Sequence, residues 1–313
     1  MLKHLPKCLL HIVAQYVILK PIHLRPFIDP KNIYWPFLCK NPAAISLLEQ
    51  NLANIDWSML CKNPNAISLL EKNPDKINWL FLSANPRAIS ILEQNLDKID
   101  WSFLSCNPGA ISLLEKNLEK INWYYLSKNP AAISLLEKNP ENIYWPNLSC
   151  NSKAISLLEK NVEKIDWICL SSNPAAISLL EKNPDKINWS NLAFNSQAVP
   201  ILEKNLEKIN WNYLSGNPAA ISLLEKNPDK ISWSWLSSLQ TSIHIHLLEK
   251  NQEKIDWFQL SSNPAAISLL ETNLEKVYWS GLSANPAIFE IDIEQYKKDL
   301  NSWISLCVRD KPA

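Results

Sequence analysis

Apolar residues recur in this chain on a beat far longer than the period of one strand or one helix. Tryptophan falls at Trp35, Trp57, Trp79, Trp101, Trp123, Trp145, Trp167, Trp189, Trp211 and Trp233, each 22 residues after the last. The next step is 24, to Trp257, and the last is again 22, to Trp279. With each tryptophan as position 0, the unit reads W-x-x-L-S-x-N-P-x-A-I-S-L-L-E-K-N-P-D-K-I-D/N. Leucine holds position 3 in all twelve units, from Leu38 to Leu282. Asparagine holds position 6 in eleven, the exception being Leu239, and position 16 in all eleven linkers, from Asn51 to Asn273. A fixed period of this length identifies a solenoid, in which each unit covers the apolar face of its neighbour.

The unit itself predicts two helices. Asn63-Pro64 reads as an N-cap followed by proline at the first helical position, where its missing N–H costs nothing. In the helix that follows, Ala66, Ile67, Leu69 and Leu70 share one broad apolar face, and Asn65, Ser68, Glu71 and Lys72 stay outside it. Asn73 is expected to end this helix in a left-handed conformation without glycine. The other element is shorter: Asp56 caps a turn starting at Trp57 and ending near Lys62. Ile55 and Leu60 bracket that cap as a hydrophobic staple. Six or seven residues do not form a stable helix alone, so the short element depends on its neighbours.

The expected architecture is therefore all-α: a solenoid of about twelve 22-residue units, each a short helix plus a longer one, its handedness left open. With helices ~8–10 Å apart, twelve layers predict a rod or superhelix on the order of 100 Å long. A leucine-rich repeat shares the period and the asparagines, but the chain lacks the L-x-L strand and has prolines at positions 7 and 17.

The ends and two internal units depart from the pattern. Residues 1–28 are assigned to a capping helix, with apolar Leu9, Ile12, Val13, Tyr16, Val17 and Leu19, and a lead-in segment. Residues 29–290 form the repeat array, irregular over 233–256, where Ser237 to His246 adds two residues. Residues 291–313 form a C-terminal cap, expected as a closing helix over the last apolar face. Pro200 stands where the second helix normally has serine, so that helix should start late or kink.

Composition narrows the chemistry. Among 313 residues there are three glycines, 31 basic and 31 acidic side chains. So few glycines leave no room for a phosphate-cradling loop or a dinucleotide fingerprint. Zero net charge argues against general affinity for nucleic acid or an anionic membrane. Seven cysteines without a CxxC, and five histidines, give no zinc spacing and read as reduced thiols of an intracellular protein. The first 19 residues place basic side chains before an apolar run, as a signal peptide does. Yet His11, Gln15, the short run and the missing small-residue cleavage site argue against secretion and against a membrane span.

The string Asn129-Pro130-Ala131-Ala132-Ile133-Ser134-Leu135-Leu136-Glu137-Lys138-Asn139-Pro140 resembles a tandem repeat of nucleocytoplasmic large DNA viruses. Asn285-Pro286-Ala287-Ile288-Phe289-Glu290-Ile291-Asp292 resembles the closing motif of the same proteins. The resemblance spans about residues 29–295. It implies a viral, intracellular origin, in host cytoplasm or virion, and supplies no catalytic residue or cofactor.

The expected function is non-enzymatic. Glu at position 14, Lys at 15 and Asp or Glu at 18 repeat as a solvated face, whereas an active site needs dissimilar groups converging once. His244 and His246 would lie on opposite sides of a helix, although a strand or loop would bring them together, and they lack further ligands, so no metal or cofactor is expected. The twelve tryptophans read as inter-unit anchors. Positions that vary between copies are the better candidates for contact: Leu80, Tyr124, Ile168 and Phe258 at position 1, Phe81, Phe103, Tyr125, Tyr213 and Trp235 at position 2, and Phe194 at position 5. Exposed aromatic side chains suit recognition of a protein, although position 2 reads equally well as half-buried against the next unit. The expected function is a scaffold binding a protein partner along one solenoid face. The alternatives are a structural component of a virus particle and, further off, a binder of single-stranded RNA.

Overall fold

The computed structural model describes residues 22–299 and Ser302; the apolar residues assigned to the N-terminal capping helix lie outside them. The described chain is an all-α solenoid. Each unit opens with a helix of four to six residues starting at the tryptophan, such as Trp57–Leu60 or Trp101–Cys106. A turn at Asn-Pro follows and leads directly into a second helix, Ile-Ser-Leu-Leu-Glu in most copies, as in Ile111–Glu115. With its 3₁₀ lead-in, Pro108–Ala110, that second helical stretch is the longer of the two. A short 3₁₀ turn such as Leu118–Lys120 returns the chain to the next tryptophan.

The local chemistry explains these boundaries. The Oδ1 of Asp56 accepts the Met59 amide at 3.0 Å, and that of Asn63 accepts the Asn65 amide at 3.0 Å. Both caps satisfy donors that a helix start leaves open. Ile55 and Leu60 are buried in one continuous core with position 3 of every other unit. Asn73 ends its helix differently from expectation. Its φ is −135°, and its Nδ2 donates back to the Leu69 carbonyl at 2.9 Å. Among the described residues no residue has positive φ, glycine included. Glycine is scarce because no turn of this unit needs a left-handed residue. Pro200 neither delays nor kinks its helix: Val199–Glu203 starts at the same place as its siblings, and proline occupies the first turn, where no intrahelical N–H is required.

Neighbouring units are joined by two hydrogen-bond ladders. At position 6, Asn129 is 2% exposed, and its Nδ2 donates to the carbonyls of Ser105 and Asn107 in the preceding unit, both at 3.1 Å. Its Oδ1 meanwhile accepts the Ala131 amide at 3.0 Å. The same side chain thus caps its own helix and ties it to the unit before. At position 4, Ser105 Oγ donates to the Trp101 carbonyl at 2.7 Å and accepts at 3.0 Å the amide of Asn122, which caps the next tryptophan helix. Cys61 takes this role with sulfur, accepting the Asn78 amide at 3.3 Å, and burial pushes its thiol pKa up.

Ala193 breaks the serine ladder, leaving the Asn210 amide without the hydroxyl its counterparts have. Ala193→Ser should therefore raise the unfolding free energy by about 1 kcal/mol, the usual net worth of a hydrogen bond. Urea denaturation would read this as a higher midpoint at unchanged slope; a lower midpoint would mean that the extra oxygen does not fit.

The ladders do not stop at the ends. Asn41, in the first unit, donates to the carbonyls of Ser283 at 3.4 Å and Asn285 at 3.0 Å, in the twelfth. The Tyr34 amide donates to Ser283 Oγ at 2.9 Å. These are the bonds that join most units to their predecessors, so the first unit packs on the last and the solenoid closes into a ring. The expected rod is corrected here: the ~100 Å stack of layers is a circumference. Twelve steps share one full turn, about 30° each, which corresponds at 8–10 Å per layer to a radius of roughly 15–19 Å.

The join has a latch of its own. Strand β1 (Ile22–Leu24) pairs antiparallel with strand β2 (Phe289–Ile291) in the register Ile22↔Ile291, His23↔Glu290, Leu24↔Phe289. The Arg25 amide and Nε donate to the carbonyls of Ile288 and Ala287, each at 2.8 Å. Glu290 faces Arg25 and His23, both at 3.3 Å. The last unit has no Ile-Ser-Leu-Leu-Glu helix; β2 follows its Asn-Pro turn instead. The apolar face expected under a closing helix is covered by the first unit, while residues 293–299 are helical and mostly exposed.

The irregular unit absorbs its two extra residues between Trp233–Ser237 and Ile245–Lys250. His244 thereby takes the place held elsewhere by a fully buried alanine and is itself 0% exposed. Its Nδ1 lies 3.2 Å from Thr241 Oγ1, but its Nε2 is buried with no partner. Desolvation, with the neighbouring His246 adding to it, brings its pKa down to about 4. His246 points the other way, 2.7 Å from Glu225.

Candidate functional site

The tryptophan helices of successive units approach each other more closely than the second helices do. In a closed ring the more crowded row is the inner one, so the tryptophan helices line the bore. On such a helix Leu at position 3 points outward to the core, which at 100° per residue turns positions 1, 2 and 5 toward the bore. The side chains behave accordingly. Phe194, at position 5 of the eighth unit, stacks on Tyr213 of the ninth at 4.6 Å between centroids and meets Trp235 of the tenth edge-on at 5.5 Å. Rings two units apart touch only where the surface curves inward.

Gly216 makes this cluster possible. A Cβ there would sit 3.1 Å from Trp235 and 3.5 Å from Phe194, so the missing side chain lets the indole lie across the ninth unit. A second aromatic group forms around Tyr124, which meets Tyr125 at 5.1 Å and, at 4.8 Å, Tyr144 at the start of the next tryptophan helix. Phe258 and Tyr278 repeat that second contact at 5.3 Å.

The candidate contact residues divide into two sets. Leu80, Phe103, Tyr124, Tyr125, Ile168, Trp235 and Phe258 are exposed, with Ile168 and Phe258 the most so at 57%. Phe81, Phe194 and Tyr213 are half-buried, and of these Phe81 and Tyr213 pack against the core. Position 2 is thus neither uniformly free nor uniformly packed. The twelve tryptophan anchors are half-buried against the core, and several are covered by a lysine of the same unit, such as Lys98 at 4.9 Å over Trp79 and Lys208 at 4.5 Å over Trp189.

Charge is segregated in a way the chain's neutral total conceals. Positions 1, 2 and 5 carry no Asp or Glu in any unit, and three lysines, Lys40, Lys62 and Lys128. Lys40 sits 4.5 Å above the Phe37 ring and Lys62 lies 3.8 Å above Phe81. Comparison of the twelve copies contained this signal, but only once positions 1, 2 and 5 are known to share a face does the pattern acquire a location. Position 5 gives little signal in the sequence, since its small residues matter through what they leave room for.

Among the described residues no three His, Cys, Asp or Glu side chains converge as a metal-binding group, and no helix is long and apolar enough to cross a membrane. Comparison with known proteins returned no matching family model, no matching characterised protein and no matching solved structure.

Proposed function

We propose that this protein is a non-enzymatic scaffold that holds a protein partner on the inward face of its tryptophan helices. The observation that supports the reading is the convergence of exposed aromatic side chains at positions 1, 2 and 5, none of which carries an acidic residue in any unit. Solvent-exposed Tyr and Trp clustered on a rigid frame are the usual makings of a binding hot spot. Subtracting a helix radius of about 5–6 Å from the ring radius leaves a bore roughly 20 Å wide, enough for one helix or an extended segment. The three lysines favour a segment that is apolar with acidic residues beside it.

The proposal includes an intracellular, viral setting, which rests on the repeat's resemblance alone. A role inside a virus particle is the second reading; ring closure bears on it, since a closed ring has no free solenoid end to extend as a rod.

Affinity capture from source cells with the full chain as bait tests the main reading. Tyr124→Ala, Tyr125→Ala and Trp235→Ala together should reduce recovery of the specific partner at least tenfold, about 1.4 kcal/mol or more. Alanine at Glu71, Glu93 and Glu115, in the second helices, should leave recovery unchanged. Equal recovery with both triple variants would place the partner elsewhere.

A further inference from the structure

Around the ring, position 5 of one unit meets position 2 of the next. Phe194 stacks on Tyr213 in this way, and Lys62 reaches Phe81. The backbones are close at that point. Between the eleventh and twelfth units, a Cβ on Gly281 would lie 3.0 Å from Ser261 Cβ and 3.4 Å from the amide nitrogen of Ser262. Between the sixth and seventh units the places of Ser262 and Gly281 are held by Cys150 and Cys169. A disulfide needs Cβ atoms about 3.5–4.5 Å apart, and this junction starts one side chain against the backbone that carries the other.

We propose that Cys150 and Cys169 are a reversible redox pair, which hydrogen peroxide closes into a disulfide tying the sixth unit to the seventh on the inward face. Both thiols are part-exposed, so a small oxidant reaches them, whereas Cys39 and Cys61 are buried as structural members of the serine ladder. Burial, then the Cys150 sulfur and the Asp166 carboxylate, push the Cys169 thiol up to about 12. Cys169 therefore keeps its proton and acts second. The Cys150 sulfur, as thiolate, attacks one peroxide oxygen; the O–O bond breaks, water leaves after protonation, and Cys150 is left as a sulfenic acid. The Cys169 sulfur then attacks that sulfur, forming the S–S bond and expelling hydroxide, which takes the Cys169 proton and departs as water. Two thiols lose two electrons in all, and one peroxide becomes two waters. A thiol reductant reverses the bond by exchange.

This inference stands apart from the partner reading, because its readout needs no partner. The purified full chain is treated with hydrogen peroxide, its remaining thiols are alkylated, and the digest is analysed by mass spectrometry. The expected result is one cross-linked peptide pair joining Cys150 to Cys169, lighter by two hydrogens than the sum of its parts and lost on reduction. Cys106 is exposed on the same face with Tyr125 and Lys128 around it, and should oxidise singly without a cross-link. Cys150→Ser, a residue that Ser172, Ser238 and Ser262 already show at this position, should abolish the cross-link while the circular dichroism spectrum stays that of the parent. Recovery of both cysteines as free thiols, as separate sulfinic or sulfonic acids, or cross-linked to other cysteines would overturn the proposal.

Discussion

Asn129→Leu should lower the unfolding free energy by about 2 kcal/mol or more, although it exchanges one side chain for another of similar size in a well-packed interior. The Asn129 side chain makes three bonds at once: two from Nδ2 to the carbonyls of Ser105 and Asn107, and one from the Ala131 amide to Oδ1. Leucine makes none. The Ser105 carbonyl is then left dry and the Ala131 amide loses its cap, while the Asn107 carbonyl keeps the Ala110 amide at 3.1 Å; a buried unpaired group costs about 1–3 kcal/mol and a lost cap about 1 kcal/mol. The better hydrophobic transfer of leucine offsets only part of that. The chain itself carries leucine at this position once, at Leu239, and there alone the turn is rebuilt by two extra residues. Asparagine and turn geometry thus belong together. Urea unfolding followed by tryptophan fluorescence measures the effect. A loss below 1 kcal/mol would show that the ladder merely accompanies packing and does not hold the units in register.

Acid should weaken the ring, and His244 should account for a defined share of the loss. Its folded pKa is about 4 against the ordinary value of 6.5. Above pH 6.5 the imidazole is neutral folded or unfolded, and it contributes no pH dependence. As pH falls below 6.5 the unfolded chain takes up a proton that the buried ring refuses, so stability drops; below pH 4 the folded ring also protonates and the loss levels off. At 1.36 kcal/mol per pKa unit the loss is about 2 kcal/mol by pH 5 and about 3 kcal/mol by pH 4. His244→Ala restores the residue found at this place in the other units. Its stability curve from pH 7 to pH 4 should therefore be flatter than the parent's by that amount, whatever its stability at pH 7. Parallel curves would mean that the buried ring titrates normally.

The unit was legible in the sequence because its signals are local. Asp56 before Trp57, Asn63 before Pro64 and the apolar face of Ile67, Leu69 and Leu70 each need only a few neighbouring residues to be interpreted, and the structure places two helices where they say. The reading of Asn73 was mistaken for a reason that is local too. Asparagine is tolerated in left-handed turns, but its amide can also donate to the carbonyl four residues back, and that bond lets the backbone turn at negative φ. The reading of Pro200 placed it in mid-helix because the helix was expected to start at the Asn-Pro turn, whereas it starts at Val199, one residue before the proline.

The candidate face was legible as a set of variable positions and not as a place. Leu80, Tyr124, Ile168 and Trp235 stood out because the copies differ there. That Phe194 and Trp235 meet across an intervening unit needs a curved surface, and that Gly216 makes room for them needs the packed neighbours. The junction of Cys150 with Cys169 likewise depends on stacking, since 19 residues of chain separate them.

The sequence by itself determined the period, the helices, their caps and the apolar seam between units, because each rests on spacing within 22 residues. Only the tertiary structure decided that the array is a ring. Closure depends on the rotation between units, about 30° per step in a twelve-membered ring, and that angle is the difference in spacing between an inner and an outer row of helices. No single residue encodes it, and a few degrees more or less at every step would accumulate into an open superhelix. What commits the ring to closing is met only at the end, where Asn41 finds Ser283 and Asn285 as though they preceded it in the chain, and Glu290 finds Arg25.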